Sequence, residues 1–238
     1  MTKPNTYFLG TYKRTEIFLK EPEIPALTHC KEHIPEFFPA KFYTAPKTFV
    51  ELAGPSDFSR SLAPLGYYSQ EEADVVSFYG AQDECLSFAI EKEALEYAPS
   101  SILLDWNESM TLPSTIQLEN LLMSFIEEFQ PELAFITNKE IFHSDEIEER
   151  PYFDDDEMKI LRMIHWITWL TPRHLEKLGR SKIESIKDIV KVQDCAGGVL
   201  ITLMPEPFEN ENPKHQAIRI EVEDRLGLME LYKLKGVR

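Results

Sequence analysis

The chain has 238 residues, 43% of them hydrophobic, enough to bury a substantial core as one large domain or two intimate halves, so a disordered polypeptide is excluded. Its 41 Asp and Glu against 25 Lys and Arg give a formal net charge of -16. Such a surface repels phosphate backbones and anionic lipid headgroups, so neither direct nucleic-acid binding nor membrane association is expected.

The N-terminal stretch MTKPNTYFLGTYKRTEIF has neither the uninterrupted apolar core nor the small-residue cleavage site of a signal peptide, and no later apolar run reaches bilayer length. Cys30, Cys85 and Cys195 are widely separated and odd in number, which suits reduced thiols better than a disulfide framework. A cytoplasmic location is the expectation.

The first predicted element is a strand over Thr6 to Lys13. Prolines punctuate the region from Pro22 to Pro64, so any helix there must be short. From Ala73 the runs ADVVSFYG, ECLSFAIEKE and SILLDW are short, aromatic and β-branched, and turn residues separate them, the pattern of an antiparallel meander. In PSTIQLENLLMSFIEEFQP, Leu118, Leu121, Leu122, Phe125 and Phe129 recur at helical spacing. Ser114 and Gln117 form a capping box there, and Pro131 ends the helix, which is expected to cover a sheet face.

ELAFIT, Glu132 to Thr137, returns as a strand. The acidic bridge SDEIEERPYFDDDE follows and suggests halves of 1–144 and 145–238 within a single 238-residue domain. RMIHWITWL, ending at Leu170, is apolar on both alternating faces and predicts a central buried strand. Thr171 and Pro172 supply an N-cap and first-turn proline for a short helix closed by Gly179. SIKDIVKVQD and GVLITLM flank Cys195-Ala196-Gly197-Gly198 as a hairpin, and Asn212-Pro213 opens a last helix ending near Gly227. The predicted class is α+β, mainly antiparallel sheet with helices packed on one face.

Few residues here carry chemistry. His29 and His33 are four apart and would share a helix face, but the glutamate that follows the first histidine of a zincin is absent, and Pro25 and Pro35 crowd the segment. A polar loop or short helix accounts for them. Asp154, Asp155, Asp156 and Glu157 lack the alternating oxygen ligands and glycine of a calcium loop, and they fit the start of a helix, where carboxylates accept orphan amide hydrogen bonds. Glu157-Met158-Lys159 spells half of a restriction-type nuclease signature, but the upstream aspartates lie immediately beside it instead of on a separate strand.

No G-x-S-x-G elbow exists, Cys85 falls in a predicted strand, and His143, His165, His174 and His215 have no catalytic frame. Gly197-Gly198 precedes a strand instead of a helix and reads as a turn, not a phosphate cradle. The chain is therefore expected to be no enzyme and to hold no metal or cofactor. Trp166 and Trp169, three apart on a strand, would point to opposite faces; core packing of both is the default, with one as an anchor for a partner as the alternative.

Three stretches carry a resemblance: TYFLGTYKRT near the N-terminus, WITWLTPRHLEKLG in the middle and GGVLITLMPEPFENENPKH near the end. With these the chain resembles the immunity proteins of bacterial polymorphic-toxin and type VI secretion systems, in particular the α+β family encoded beside toxins with a restriction-endonuclease-like nuclease domain. The resemblance implies a protein toxin as partner, with a basic nuclease domain whose substrate groove this acidic chain would occlude. It transfers no interface residue. Charge density selects Asp145, Glu146, Glu148, Glu149, Asp154, Asp155, Asp156 and Glu157 as the partner-facing surface, with Trp166 or Trp169 as a nearby anchor. A metal-dependent hydrolase built on His29, His33 or the acidic run, and a cytoplasmic scaffold binding something other than a toxin, are the rivals.

Overall fold

The computed structural model describes residues 6–13, 25–37, 41–44, 48–51, 75–79, 86–91, 100–107, 112–138, 161 and 163–228. They form an α+β fold, and the chain divides into two compact units, Met1–Glu132 and Leu133–Arg238.

In the first unit, β1 (Thr6–Lys13) pairs antiparallel with β6 (Ser100–Asn107) over its whole length, from Thr6 opposite Asn107 to Lys13 opposite Ser100. Next to β6 lies β5 (Leu86–Glu91), then β4 (Val75–Tyr79), so the meander read from the sequence is present in order. β2 (Lys41–Thr44) joins β4, and β3 (Thr48–Glu51) joins β2, giving the order β3-β2-β4-β5-β6-β1. The proline-rich region also holds α1 (Pro25–His33) and a single 3-10 turn (Pro35–Phe37), both short as proline spacing requires.

α2 (Thr115–Phe129) has the predicted capping box: the Gln117 backbone N–H donates to Ser114 Oγ at 3.3 Å, and the Ser114 N–H donates to Gln117 Oε1 at 2.9 Å. Leu118, Leu121, Leu122, Phe125, Ile126 and Phe129 are all buried. Each contributes about 1.5–3 kcal/mol by leaving water, so this face, packed on α1 and β1, holds the helix in place far more firmly than its cap does. Gln130 turns left-handed at φ 45° and donates its N–H to Ile126 O, and Pro131 prevents continuation.

The second unit begins one residue after Glu132. β7 (Leu133–Asn138) is hydrogen-bonded to β8 (Ile167–Leu170), which pairs with β10 (Gly198–Thr202), which pairs with β9 (Lys191–Cys195), all antiparallel. This pairing draws β7 into the second unit, so the division falls at 132/133, ahead of the 144/145 that the acidic bridge suggested. β7, β8 and β10 are buried at every residue, whereas β9 presents Lys191 and Asp194 outward. Charged side chains on such a strand discourage further pairing.

Between β8 and β9 run α3 (Pro172–Leu178), capped by Thr171, and α4 (Arg180–Glu184). α5 (Pro213–Leu226) starts at the Asn212 cap and stops at Gly227. Two strands are shorter than the sequence predicts. Of the run ending at Leu170 only Ile167–Leu170 is strand, because the preceding amides are taken elsewhere: Ile164 N–H donates to Glu223 Oε1 and His165 N–H to Thr168 Oγ1, each at 2.8 Å. In SIKDIVKVQD, residues 185–190 form helical turns, with Val190 N–H donating to Ile186 O, since Ile183, Ile186 and Val190 reach the interior at helical spacing. The strand begins at Lys191.

The hairpin is present, but its turn is Ala196-Gly197, one residue earlier than the Gly197-Gly198 read from the sequence, because Gly198 pairs with Cys195 as the first residue of β10. Ala196 and Gly197 both have positive φ, 47° and 77°, as a two-residue turn between twisted strands requires. Gly198 is needed for a different reason: a Cβ there would lie 2.1 Å from the Leu170 carbonyl oxygen of the neighbouring strand.

Candidate functional site

The predicted acidic surface, Asp145, Glu146, Glu148, Glu149, Asp154, Asp155, Asp156 and Glu157, lies outside the described residues, as do Glu157-Met158-Lys159, Cys85 and His143. What the described residues establish is how charge is shared out. Residues 163–228 carry nine Lys and Arg against ten Asp and Glu, close to neutrality. Many are engaged locally: Arg225 bridges Asp188 at 2.8 Å and Glu221 at 2.6 Å, and Lys187 meets Glu184 at 2.8 Å. By contrast, the thirteen residues from Asp145 to Glu157 hold eight carboxylates and one arginine. Carboxylates are thus most densely crowded in this segment, although residues 1–144, with 22 Asp and Glu against 10 Lys and Arg, carry the larger share of the net negative charge.

The two tryptophans are the sequence-chosen residues that can be seen, and neither is a surface anchor. Trp166 is 2% exposed and donates its Nε1–H to Met204 O at 3.0 Å; Trp169 is 4% exposed and donates to Cys195 O at 3.2 Å. A Trp ring presents itself to a partner with its N–H free or at a wet rim, whereas here both polar atoms are already satisfied inside the second unit. The anchor expectation is corrected, and core packing of both rings stands.

The histidines of this unit are structural. His165 stacks on Phe135 with ring centroids 3.9 Å apart, and burial, with the Arg219 guanidinium adding to it, pushes its pKa down to about 3. Such a ring is neutral at physiological pH and too weakly basic to serve as a general base. His174 completes the α3 capping box: its Nδ1 accepts the Thr171 N–H at 3.1 Å while its own N–H donates to Thr171 Oγ1 at 3.2 Å. Burial, with Lys177 nearby, lowers its pKa to about 4. His215 accepts the Glu209 N–H on Nδ1 and lies against Phe208.

Cys30 is buried and its thiol is pushed up to about 12, which removes the thiolate needed for nucleophilic chemistry. Among the described residues, no group of three or more His, Cys, Asp or Glu side chains is placed to hold a metal ion. Likewise among them, no helix is long and apolar enough to cross a membrane. His29, half-buried, and His33, exposed, share one side of α1, with ring centroids 4.6 Å apart.

Among the described residues, folding creates a concavity that no sequence pattern announced. It is a cavity of about 360 Å³ lined by Pro172, Arg173, Leu175, Glu176, Arg180 and Ile183 from α3 and α4 and by Val199 from β10. Arg180 at its rim lies 3.7 Å from Asp194 and 4.0 Å from Glu184. No local signal could have assembled it, because its floor and its rim come from elements separated in sequence.

The sequence matches no protein-family model and no curated protein. Its structure is similar to the Pseudomonas aeruginosa T6SS (type VI secretion system) protein PA0821, with a TM-score of 0.62 and 11% sequence identity, covering 94% of this chain and 76% of that one. At that identity the likeness establishes a shared fold.

Proposed function

We propose, starting from this fold shared with a type VI secretion protein, that the chain is an immunity protein that binds a cognate toxin, a basic nuclease domain, and neutralises it by covering the surface that would bind nucleic acid. The likeness over 94% of the chain is the observation that carries the reading. The concentration of eight carboxylates between Asp145 and Glu157 supports it. A nuclease must present positive potential to a phosphate backbone, and a dense acidic segment meets that potential, steers encounter and sets the register of docking.

Electrostatics alone gives rate and specificity more than tight binding, so a desolvated apolar anchor is also needed. With Trp166 and Trp169 buried, that role passes to Tyr152 and Phe153, which the sequence places between the two acidic clusters. Aromatic residues flanked in sequence by charge have the composition of an interface centre with a polar rim.

The test is capture from the native cell with the tagged chain as bait, washed at rising salt, followed by co-expression of the retained protein with and without this chain. A retained basic nuclease whose toxicity this chain suppresses supports the reading. Retention of a non-toxic protein alone favours the scaffold rival, and a chelator-sensitive hydrolase activity of the isolated chain favours the enzyme rival.

A further inference from the structure

The C-terminal half of α1 holds two imidazoles side by side, His33 exposed and His29 half-buried. α1 runs from Pro25 to His33, so His29 and His33, four residues apart, project from the same side of the helix, and their ring centroids are 4.6 Å apart with planes tilted by 47°. This end of the helix is fixed from below. Ile34 N–H donates to Cys30 O at 2.9 Å, Phe37 N–H to Ile34 O at 2.8 Å, and Cys30, Ile34 and Phe37 are all buried. From the side, Gln117 Nε2 of α2 donates to His33 O at 3.0 Å. The backbone that carries the two rings is therefore held by packing, and neither ring contributes to that packing as a hydrogen-bond partner of the core.

His29 Nε2 has no hydrogen-bond partner at all. A buried ring nitrogen in that condition forfeits the interaction it had with water, about 1–3 kcal/mol, unless something else satisfies it. His33 is exposed, and the Glu32 carboxylate lies 3.8 Å from its Nε2.

We propose that His29 and His33 form a two-imidazole chelate for a divalent transition-metal ion that prefers nitrogen ligands, of the class of Zn²⁺, Ni²⁺ and Cu²⁺. Metal–nitrogen bonds of about 2.0–2.1 Å need donor nitrogens about 3 Å apart. Ring centroids 4.6 Å apart place the two imidazoles within the range of one shared ion. Water fills the remaining positions, because no third His, Cys, Asp or Glu completes the set among the described residues. Hard cations such as Mg²⁺ and Ca²⁺ are excluded by the donor type. The site is independent of the immunity reading and stands or falls without it.

The experiment titrates the full chain with NiCl₂ by calorimetry and with CuCl₂ by electron paramagnetic resonance, in parallel with His33→Ala and His29→Ala. His33 is exposed, so its substitution leaves the fold intact, which the metal-free melting curve checks. One saturable equivalent is expected in the unaltered chain, weakened by more than about tenfold in His33→Ala. The Cu²⁺ spectrum should lose one of two coordinated nitrogens in that variant. If no saturable equivalent forms, or if both variants bind as the unaltered chain does, the ion sits on surface carboxylates and the chelate is overturned.

Discussion

Replacing Gly198 with alanine tests whether the second unit depends on close approach of two strands. Its Cβ would lie 2.1 Å from Leu170 O, 3.2 Å from Leu170 C and 2.9 Å from Trp169 Nε1. The first two atoms are backbone in β8 and cannot rotate away, so β8 and β10 must separate or the hairpin must tilt. Overpacking of this kind costs about 1–3 kcal/mol, and displacing the Trp169 indole also threatens its hydrogen bond to Cys195 O, adding about 1 kcal/mol. The expected destabilisation is thus about 2–4 kcal/mol, or a fall in Tm of roughly 4–16 °C for a chain of this size. Gly197→Ala is the control. It carries the positive φ of 77°, which costs an alanine about 1–2 kcal/mol, but its Cβ would meet only the Pro172 Cγ at 3.4 Å. Urea unfolding followed by tryptophan fluorescence reads both variants, since Trp166 and Trp169 are buried in the same unit. A Gly198→Ala variant no less stable than Gly197→Ala would refute the strand-contact argument.

Acid should weaken the second unit through its buried histidines. The folded pKa values of His165 and His174, about 3 and about 4, lie below the unfolded value, so as pH falls the unfolded chain takes up protons first. Their contribution is complete above about pH 6.5 and is lost on descending toward the folded values, at about 1.4 kcal/mol per pH unit for each group. His174→Gln keeps a capping-box residue without the titration, and denaturation midpoints at pH 7, 6 and 5 should show a shallower loss than in the unaltered chain. Ser114→Ala removes the α2 cap and should cost about 1 kcal/mol by equilibrium urea unfolding, with Ser114→Asp recovering most of it. Reversing the charge of Asp154, Asp155, Asp156 and Glu157 to lysine should leave the melting curve in place but slow association with the toxin and flatten its salt dependence in stopped-flow measurements; unchanged kinetics would remove this segment from the interface.

Local rules read much of this chain correctly because its decisive signals are local. Ser114 with Gln117, Thr171 with Pro172, and Asn212 with Pro213 each specify a helix start through hydrogen bonds and φ values within a few residues, and the glycine pair marked the hairpin to within one residue of its turn. The periodicity of Leu118 to Phe129 fixed the face of α2 in the same way. Site residues were less legible. Trp166 and Trp169 gave opposite faces by strand parity, but parity cannot say that both faces are covered; the carbonyls of Met204 and Cys195, brought from distant positions, decided that. The strand at Ile167 started late because Glu223, far along the chain, captured the Ile164 amide. Composition and charge order were properties of the sequence by itself, since net charge and the crowding of carboxylates from Asp145 to Glu157 need no fold. Burial, the satisfaction of buried polar atoms and the cavity beneath Arg180 belong to the tertiary structure, because each depends on which distant groups approach within a few ångströms.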